Sequence, residues 1–126
     1  MLSEKDAKNY GSPALAFLGD SVYELWIRNK LVTAANSPSA ALHDAKIKYV
    51  CAAHQSKVAL SLDFTEEEEG VFRRAKNNKD LSFPKNAQIM DYKRATGLEA
   101  VLGYLYLTGN TDRIDEIMEK AMQTDL

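Results

Sequence analysis

ALAFLGDSVYELWIRNKL, residues Ala14 to Leu31, is the stretch from which the fold can be read. Leu15, Phe17, Leu18, Val22, Leu25, Trp26 and Leu31 recur at the three- and four-residue spacing of a core-facing helix. Asp20 stands in the middle of them. A carboxylate among apolar neighbours loses hydration that something else must replace. Glu24 lies one helical turn later, roughly 5 to 6 Å away, so the two acids share a face and repel unless a cation sits near them. The pattern is that of a divalent-metal site. A plainer reading stays open, in which the acid is satisfied by backbone N–H groups or by a Lys or Arg.

Outward from this helix, the punctuation predicts further helices. Ser12 is a candidate N-cap and Pro13 suits the first position, where no N–H is needed. The pattern runs to about Leu31 and breaks at Asn36, Ser37 and Pro38. Ser39 is placed to cap a second stretch that continues towards Leu60, with room for a break near His54 to Ser56. Thr65 followed by Glu68 is a capping box, and the acids Glu66 to Glu69 suit the positive end of that helix. Lys76 to Asn86, KNNKDLSFPKN, reads as an exposed loop. A helix follows from Ile89 to Leu107 with a glycine stop at Gly109, and Thr111 is the expected cap of a last amphipathic helix carrying Ile114, Ile117, Met118 and Ala121. No stretch alternates with period two, so the expected class is all-α.

The 126 residues suffice for one domain spanning 1–126 with its own core. An apolar fraction of 45% and a charged fraction of 27% exclude a disordered or membrane chain. No apolar run approaches membrane-spanning length and no secretory leader is visible, which predicts a cytoplasmic protein without membrane contact. The single cysteine, Cys51, reads as a small buried side chain in a helix, and His54 as a hydrogen-bonded structural histidine. Tyr23, Trp26, Tyr104 and Tyr106 read as core or interface aromatics. The formal charge of −2 hides an asymmetry: Val71 to Arg94 carries a local +5 and the remainder −7. Such a basic segment on an acidic body marks a site for a polyanion.

Glu99 repeats the oddity of Asp20, being an acid inside LEAVLGYLYL, the most apolar helix of the C-terminal half. Two apolar helices with one misplaced carboxylate each are what a bundle uses to build a metal site, and oxygen ligands without zinc-type His and Cys spacing favour Mg²⁺.

FLGDSVYEL around Asp20 and TGLEAVLGYLYL around Glu99 resemble the ribonuclease III family, most closely its Mini-ribonuclease III branch, which is a nuclease domain alone without a double-stranded RNA-binding domain. The similarity extends through YVCAAHQ (Tyr49 to Gln55), RRAKN (Arg73 to Asn77), PKNA (Pro84 to Ala87) and YKRATGLEAVLGYLYL (Tyr92 to Leu107). It implies an all-helical homodimer, an Mg²⁺-dependent endoribonuclease that cuts double-stranded RNA and leaves 5′-phosphate ends. Asp20 and Glu99 carry over as catalytic metal ligands; Glu24, one turn on, is a candidate accessory acid or else an ion-pair partner. Larger members hold further acids where this chain has Ala16 and Thr96. Arg73, Arg74, Lys76, Lys79 and Lys85 are the expected contacts to RNA phosphates, a recognition by shape and charge. The implied substrate is the precursor of large-subunit (23S) ribosomal RNA, with a ribosomal protein as a helper. The rival reading is a non-catalytic RNA-binding or ribosome-assembly helical dimer.

Overall fold

The computed structural model describes residues 1–85 and 88–126. Asn86 and Ala87, which close the expected loop and the PKNA run, lie outside the described residues. Among the described residues seven helices follow one another: α1 (Glu4–Lys8), α2 (Ser12–Ala34), α3 (Ser39–Val50), α4 (Ala52–Ser61), α5 (Glu66–Lys76), α6 (Ile89–Leu107) and α7 (Thr111–Gln123). Among the described residues there is no strand. The all-α expectation therefore stands.

The axis of the fold is α6. Ala95, Gly97, Leu98 and every residue from Ala100 to Leu105 are buried, so this helix is covered nearly all round by α2, α4 and α5, with α1 and α7 closing its sides. It ends as the sequence predicts. Gly109 takes φ of 77°, its N–H reaches the Tyr106 carbonyl at 3.1 Å, and the next N–H, of Asn110, reaches Leu105 at 2.8 Å. This pair of bonds satisfies the last carbonyls of the helix, and the left-handed residue it needs is glycine. From there α7 buries Ile114, Ile117, Met118 and Ala121, and is tied to α2 through Trp26 Nε1 donating to Asp115 (2.6 Å) and Lys30 pairing with Glu119 (2.7 Å).

The contact between α2 and α6 is made possible by absent side chains. A Cβ on Gly19 would lie 1.5 Å from the Glu99 carbonyl oxygen, and one on Gly103 would lie 2.0 Å from the Leu15 carbonyl oxygen. Gly19 meets Glu99 while Leu15, one turn earlier, meets Gly103, so the helices run antiparallel with their backbones touching. On the far side of α6, Gly97 has the Phe72 ring against it and admits α5 in the same way.

The capping box of α5 is present, Thr65 Oγ1 accepting from Glu68 N–H and Glu68 Oε1 from Thr65 N–H. Glu68 is also buried, and Arg113 of α7 neutralises it at 2.9 Å. The acidic run thus begins a helix and anchors another.

Several expectations are corrected. Phe17 and Leu25 are 83% and 60% exposed, and the buried face of α2 is instead Leu15, Ala16, Gly19, Val22, Tyr23 and Ile27. Ser12 and Thr111 are not caps: Gly11 and Asn110 hold those positions, and Ser12 is buried inside the first turn. The long second helix breaks at Cys51 rather than at His54 to Ser56. Cys51 is exposed, not buried. Its extended backbone (φ −67°, ψ 154°) is held because all four last carbonyls of α3 find partners there. Ile47 accepts from Cys51 N–H (3.3 Å), Lys48 from the Cys51 thiol (3.6 Å), Tyr49 from the Tyr23 hydroxyl (2.6 Å) and Val50 from Gln55 Nε2 (2.9 Å).

Candidate active site

Asp20 lies on α2 beside Gly19, and Glu99 lies on α6 where that glycine touches its backbone. Backbone contact between the helices is therefore what brings together two acids 79 positions apart. They line an open pocket of about 370 Å³, shared with Val50, Cys51 and Gln55 at the α3–α4 break and with Tyr92 and Thr96 of α6. Asp20 is exposed and Glu99 half-buried. That corrects the view of Asp20 as a buried acid: its apolar neighbours Phe17 and Leu25 face solvent too, so the apolar pattern around it is a surface feature.

Burial, first, and then the nearby Asp20 carboxylate push the Glu99 pKa up to about 8 from 4.5. A hydrogen bond with Asp20 adds to the rise, and one from the Gln55 amide offsets part of it. At neutral pH Glu99 thus keeps its proton. Two acids at one solvent-open pocket fit a cation that would replace that proton. Their donors are hard oxygens, as Mg²⁺ prefers. Among the described residues no cluster of three or more His, Cys, Asp or Glu side chains gathers. Thr96 lines the pocket at the place of one missing acid, and Ala16 is buried at the other.

Glu24 is not brought to the pocket. Its Oε1 pairs with Lys46 at 3.1 Å and with Arg28 at 3.7 Å, because α3 presents Lys46 to it. The basic residues stand apart as well. Arg73, Arg74, Lys79 and Lys85 are exposed, and Lys76 lies over the Phe72 ring at 5.6 Å. Helix α5 packs on the Gly97 side of α6, and residues two apart on a helix face nearly opposite ways, so Arg73, Arg74 and Lys76 stand on a helix at the side of α6 away from Glu99. Arg73 also contacts Glu69 at 3.6 Å.

Residues 13–110 match the family described as the Ribonuclease III domain. Across 125 residues the chain is 38% identical to the Mini-ribonuclease 3 of Thermoanaerobacter sp. (strain X514), covering 98% of this chain and 88% of that one. The Mini-ribonuclease 3 of Brevibacillus brevis is 45% identical over 109 residues, covering 85% and 81%. The chain belongs to the ribonuclease III family, in its Mini-ribonuclease 3 branch. A crystal structure of a Fusobacterium nucleatum protein superposes with a TM-score of 0.84 at 33% identity, covering 94% of this chain and 96% of that one. Membership in the ribonuclease III family makes the protein an endoribonuclease of double-stranded RNA.

Within this ribonuclease III fold, sequence reasoning missed Tyr23, Cys51, Gln55 and Tyr92 as builders of the site. Tyr23 is buried and donates to the Tyr49 carbonyl, and burial pushes its phenol upward, with Cys51 and Glu99 adding to the shift. The signal available was the YVCAAHQ run, whose polar residues sit where an uninterrupted amphipathic helix has no use for them. His54 follows expectation. The Ala121 carbonyl at 2.8 Å can only accept, so His54 Nε2 donates and joins α4 to α7.

Proposed function

We propose that the protein is a homodimeric, Mg²⁺-dependent nuclease acting on structured precursor RNA, with Asp20 and Glu99 as the cation-holding catalytic pair. The observation that carries this reading is the Asp20–Glu99 pair itself, two carboxyl groups brought to one solvent-open pocket. Mg²⁺ bound there supplies a Lewis acid for phosphodiester hydrolysis, stabilising charge on the scissile phosphate and on the departing 3′ oxygen. Asp20 and Glu99 would hold the ion from two helices whose backbones touch, which fixes the spacing of the two Cα positions. Thr96 leaves its side of the pocket uncharged, so RNA phosphate enters without meeting a third acid.

Duplex RNA is engaged through Arg73, Arg74, Lys76, Lys79 and Lys85, with the A-form backbone rather than base edges as the target. Support for a second copy comes from α2, where Phe17, Leu25 and Val32, 83%, 60% and 56% exposed, form an apolar line on one helix face. Each protomer would cut one strand. The precursor of 23S ribosomal RNA is the proposed substrate and a ribosomal protein the proposed helper, in the cytoplasm. Among the described residues no helix is long and apolar enough to cross a membrane.

Purified protein incubated with a duplex RNA and Mg²⁺ tests the core of this reading. Cleavage to 5′-phosphate products is expected, lost in Asp20→Asn and in Glu99→Gln while duplex binding persists. Full cleavage by both variants would overturn it. Phe17→Glu is expected to give a monomer in sedimentation, and an unchanged dimer would remove α2 as the interface.

A further inference from the structure

A threonine on a helix commonly turns its hydroxyl back to a carbonyl of the preceding turn, and this chain does so in the last turns of α2, α6 and α7. Thr33 donates to the Asn29 carbonyl (2.8 Å), Thr108 to Tyr104 (2.9 Å) and Thr124 to Lys120 (2.7 Å). Thr96, in the middle of α6, differs. Among the described residues its hydroxyl has no hydrogen-bond partner, and the unpartnered side-chain atoms that are sealed from solvent are those of His54 and Gln55. The Thr96 hydroxyl is therefore open to the pocket that this half-buried side chain lines with Asp20 and Glu99. A β-branched residue, a mediocre helix former, thus stands at the centre of the fold's main helix with a polar atom that stabilises nothing in the fold.

A phosphodiester drawn into this pocket needs donors for its non-bridging oxygens, and the pocket has few. Among the described residues no Lys or Arg lines it. The Cys51 thiol is spent on the Lys48 carbonyl and the Gln55 amide nitrogen on the Val50 carbonyl. Two hydroxyls remain, those of Tyr92 and Thr96. Both share one stripe of α6 with Glu99, since residues four and seven apart lie on the same helix face. Tyr92 stands about 10 Å of helix rise before Glu99, its ring edge-on to Phe83. Thr96 stands only about 4.5 Å before it, within one turn. It is the uncommitted donor nearest the carboxyl pair, where the reacting phosphate has to come. A carboxylate at this position would repel that phosphate, whereas a hydroxyl can donate to it.

We propose that Thr96 is a substrate-contacting residue, its hydroxyl donating a hydrogen bond to a non-bridging oxygen of the phosphodiester cut beside Asp20 and Glu99. The inference rests on the two-carboxylate reading above and adds to it the group that receives the substrate's phosphate. As the phosphodiester is attacked, negative charge grows on its non-bridging oxygens. The hydrogen bond strengthens with that charge, so it acts on the rate of cleavage more than on duplex affinity.

The test is Thr96→Val, which keeps the shape and nearly the helix propensity of threonine and removes the hydroxyl. It is read on synthetic RNA duplexes that carry an ordinary phosphate, or a single phosphorothioate of either configuration, at the linkage the protein cuts. On the ordinary duplex the single-turnover rate is expected to fall about 10- to 100-fold, the worth of a hydrogen bond to a charged oxygen, and Thr96→Ser is expected to restore most of it. Sulfur at the contacted oxygen weakens the same bond in the parent, so the loss caused by Thr96→Val shrinks on one diastereomer and persists on the other. Duplex affinity by anisotropy, Mn²⁺ affinity of the RNA-free protein by electron paramagnetic resonance, and the Mg²⁺ needed for half-maximal cleavage stay at the parent's values. No loss on the ordinary duplex, or an equal loss on both diastereomers, overturns the proposal. So does Mn²⁺ binding weakened in step with the rate, which would assign the hydroxyl to the ion instead of the phosphate. If Thr96→Val does not fold, Thr96→Ala gives the same comparison. Asp20→Asn and Glu99→Gln run alongside. Should both cleave like the parent, the two-carboxylate reading falls and Thr96 with it; should both be inactive while Thr96→Val matches the parent, only the inference about Thr96 is lost.

Discussion

Replacing Gly19 by alanine adds one methyl group and is expected to damage both stability and cleavage. The added carbon would sit 1.5 Å from the Glu99 carbonyl oxygen and 2.4 Å from its carbonyl carbon. Neither is the end of a flexible side chain, so α2 and α6 must part by about 2 Å to restore van der Waals separation. Overpacking a core costs typically about 1–3 kcal/mol. Here both walls are backbone, which places the expected cost at the upper end, about 3 kcal/mol. Displacing Asp20 from Glu99 by even 1 Å is expected to slow cleavage about 100-fold. Urea unfolding followed by far-ultraviolet circular dichroism measures the first effect and single-turnover cleavage of duplex RNA the second. Gly103→Ala, whose methyl group would lie 2.0 Å from the Leu15 carbonyl oxygen, should behave similarly. The double variant should cost less than the two single costs added, since helices parted by one methyl group have room for the other. Gly70 is the control: nothing lies within 4 Å of its would-be Cβ, so Gly70→Ala should stabilise α5 by about 0.5–1 kcal/mol. Gly19→Ala with the parent's midpoint and cleavage rate would refute the claim that backbone contact positions the acids.

The remaining predictions probe charge. The raised Glu99 pKa means that the cation-free folded protein holds this proton more tightly than the unfolded chain, so the stability it contributes is complete below about 4.5 and is lost as pH rises through about 8. A bound cation needs the deprotonated pair, so its affinity should rise by up to about tenfold per pH unit until pH 8 and then level off. Unfolding midpoints in EDTA and in Mg²⁺ should therefore diverge between pH 6 and about pH 8, and a gap independent of pH would contradict the raised Glu99 pKa. Arg113→Ala strands the buried Glu68 carboxylate and should cost about 3–5 kcal/mol in urea unfolding, whereas Glu116→Ala, which removes only an exposed partner, should cost less than about 1 kcal/mol. Equal effects of the two would show that the Glu68 pair is not the anchor of α5 on α7. Neutralising Arg73, Arg74 and Lys76 together to Gln should weaken duplex RNA binding and flatten its salt dependence by about one unit of slope for each phosphate no longer neutralised, measured by anisotropy on Asp20→Asn; an unchanged slope would detach α5 from RNA binding.

Hydropathy spacing announced the helices of this fold because a buried stripe is a local property of sequence. It could not say which stripe is the core. Phe17 and Leu25 carry the same apolar signal as Leu15 and Val22, yet the first two are exposed and the last two are buried. The distinction comes from the close crossing with α6, which turns the Leu15, Gly19, Val22 side of α2 inward. Once that rotation is known, Asp20 must be a surface acid, since it leaves the crossing beside Gly19 and shares solvent with Phe17. The caps were misplaced by one residue at Ser12 and Thr111 because serine and threonine are acceptable both at a cap and just inside it. The break at Cys51 was harder still, as two of its four satisfied carbonyls draw on Tyr23 of α2 and Gln55 of α4, partners that only the folded chain supplies. The glycines carried a signal that the apolar spacing passed over. Gly19 next to Asp20 and Gly103 one turn after Glu99 each weaken an otherwise strong apolar helix, and such a cost is borne where another backbone must come close. In the folded chain the two glycines mark the antiparallel crossing of α2 and α6, and that crossing is what brings Asp20 and Glu99 to one pocket.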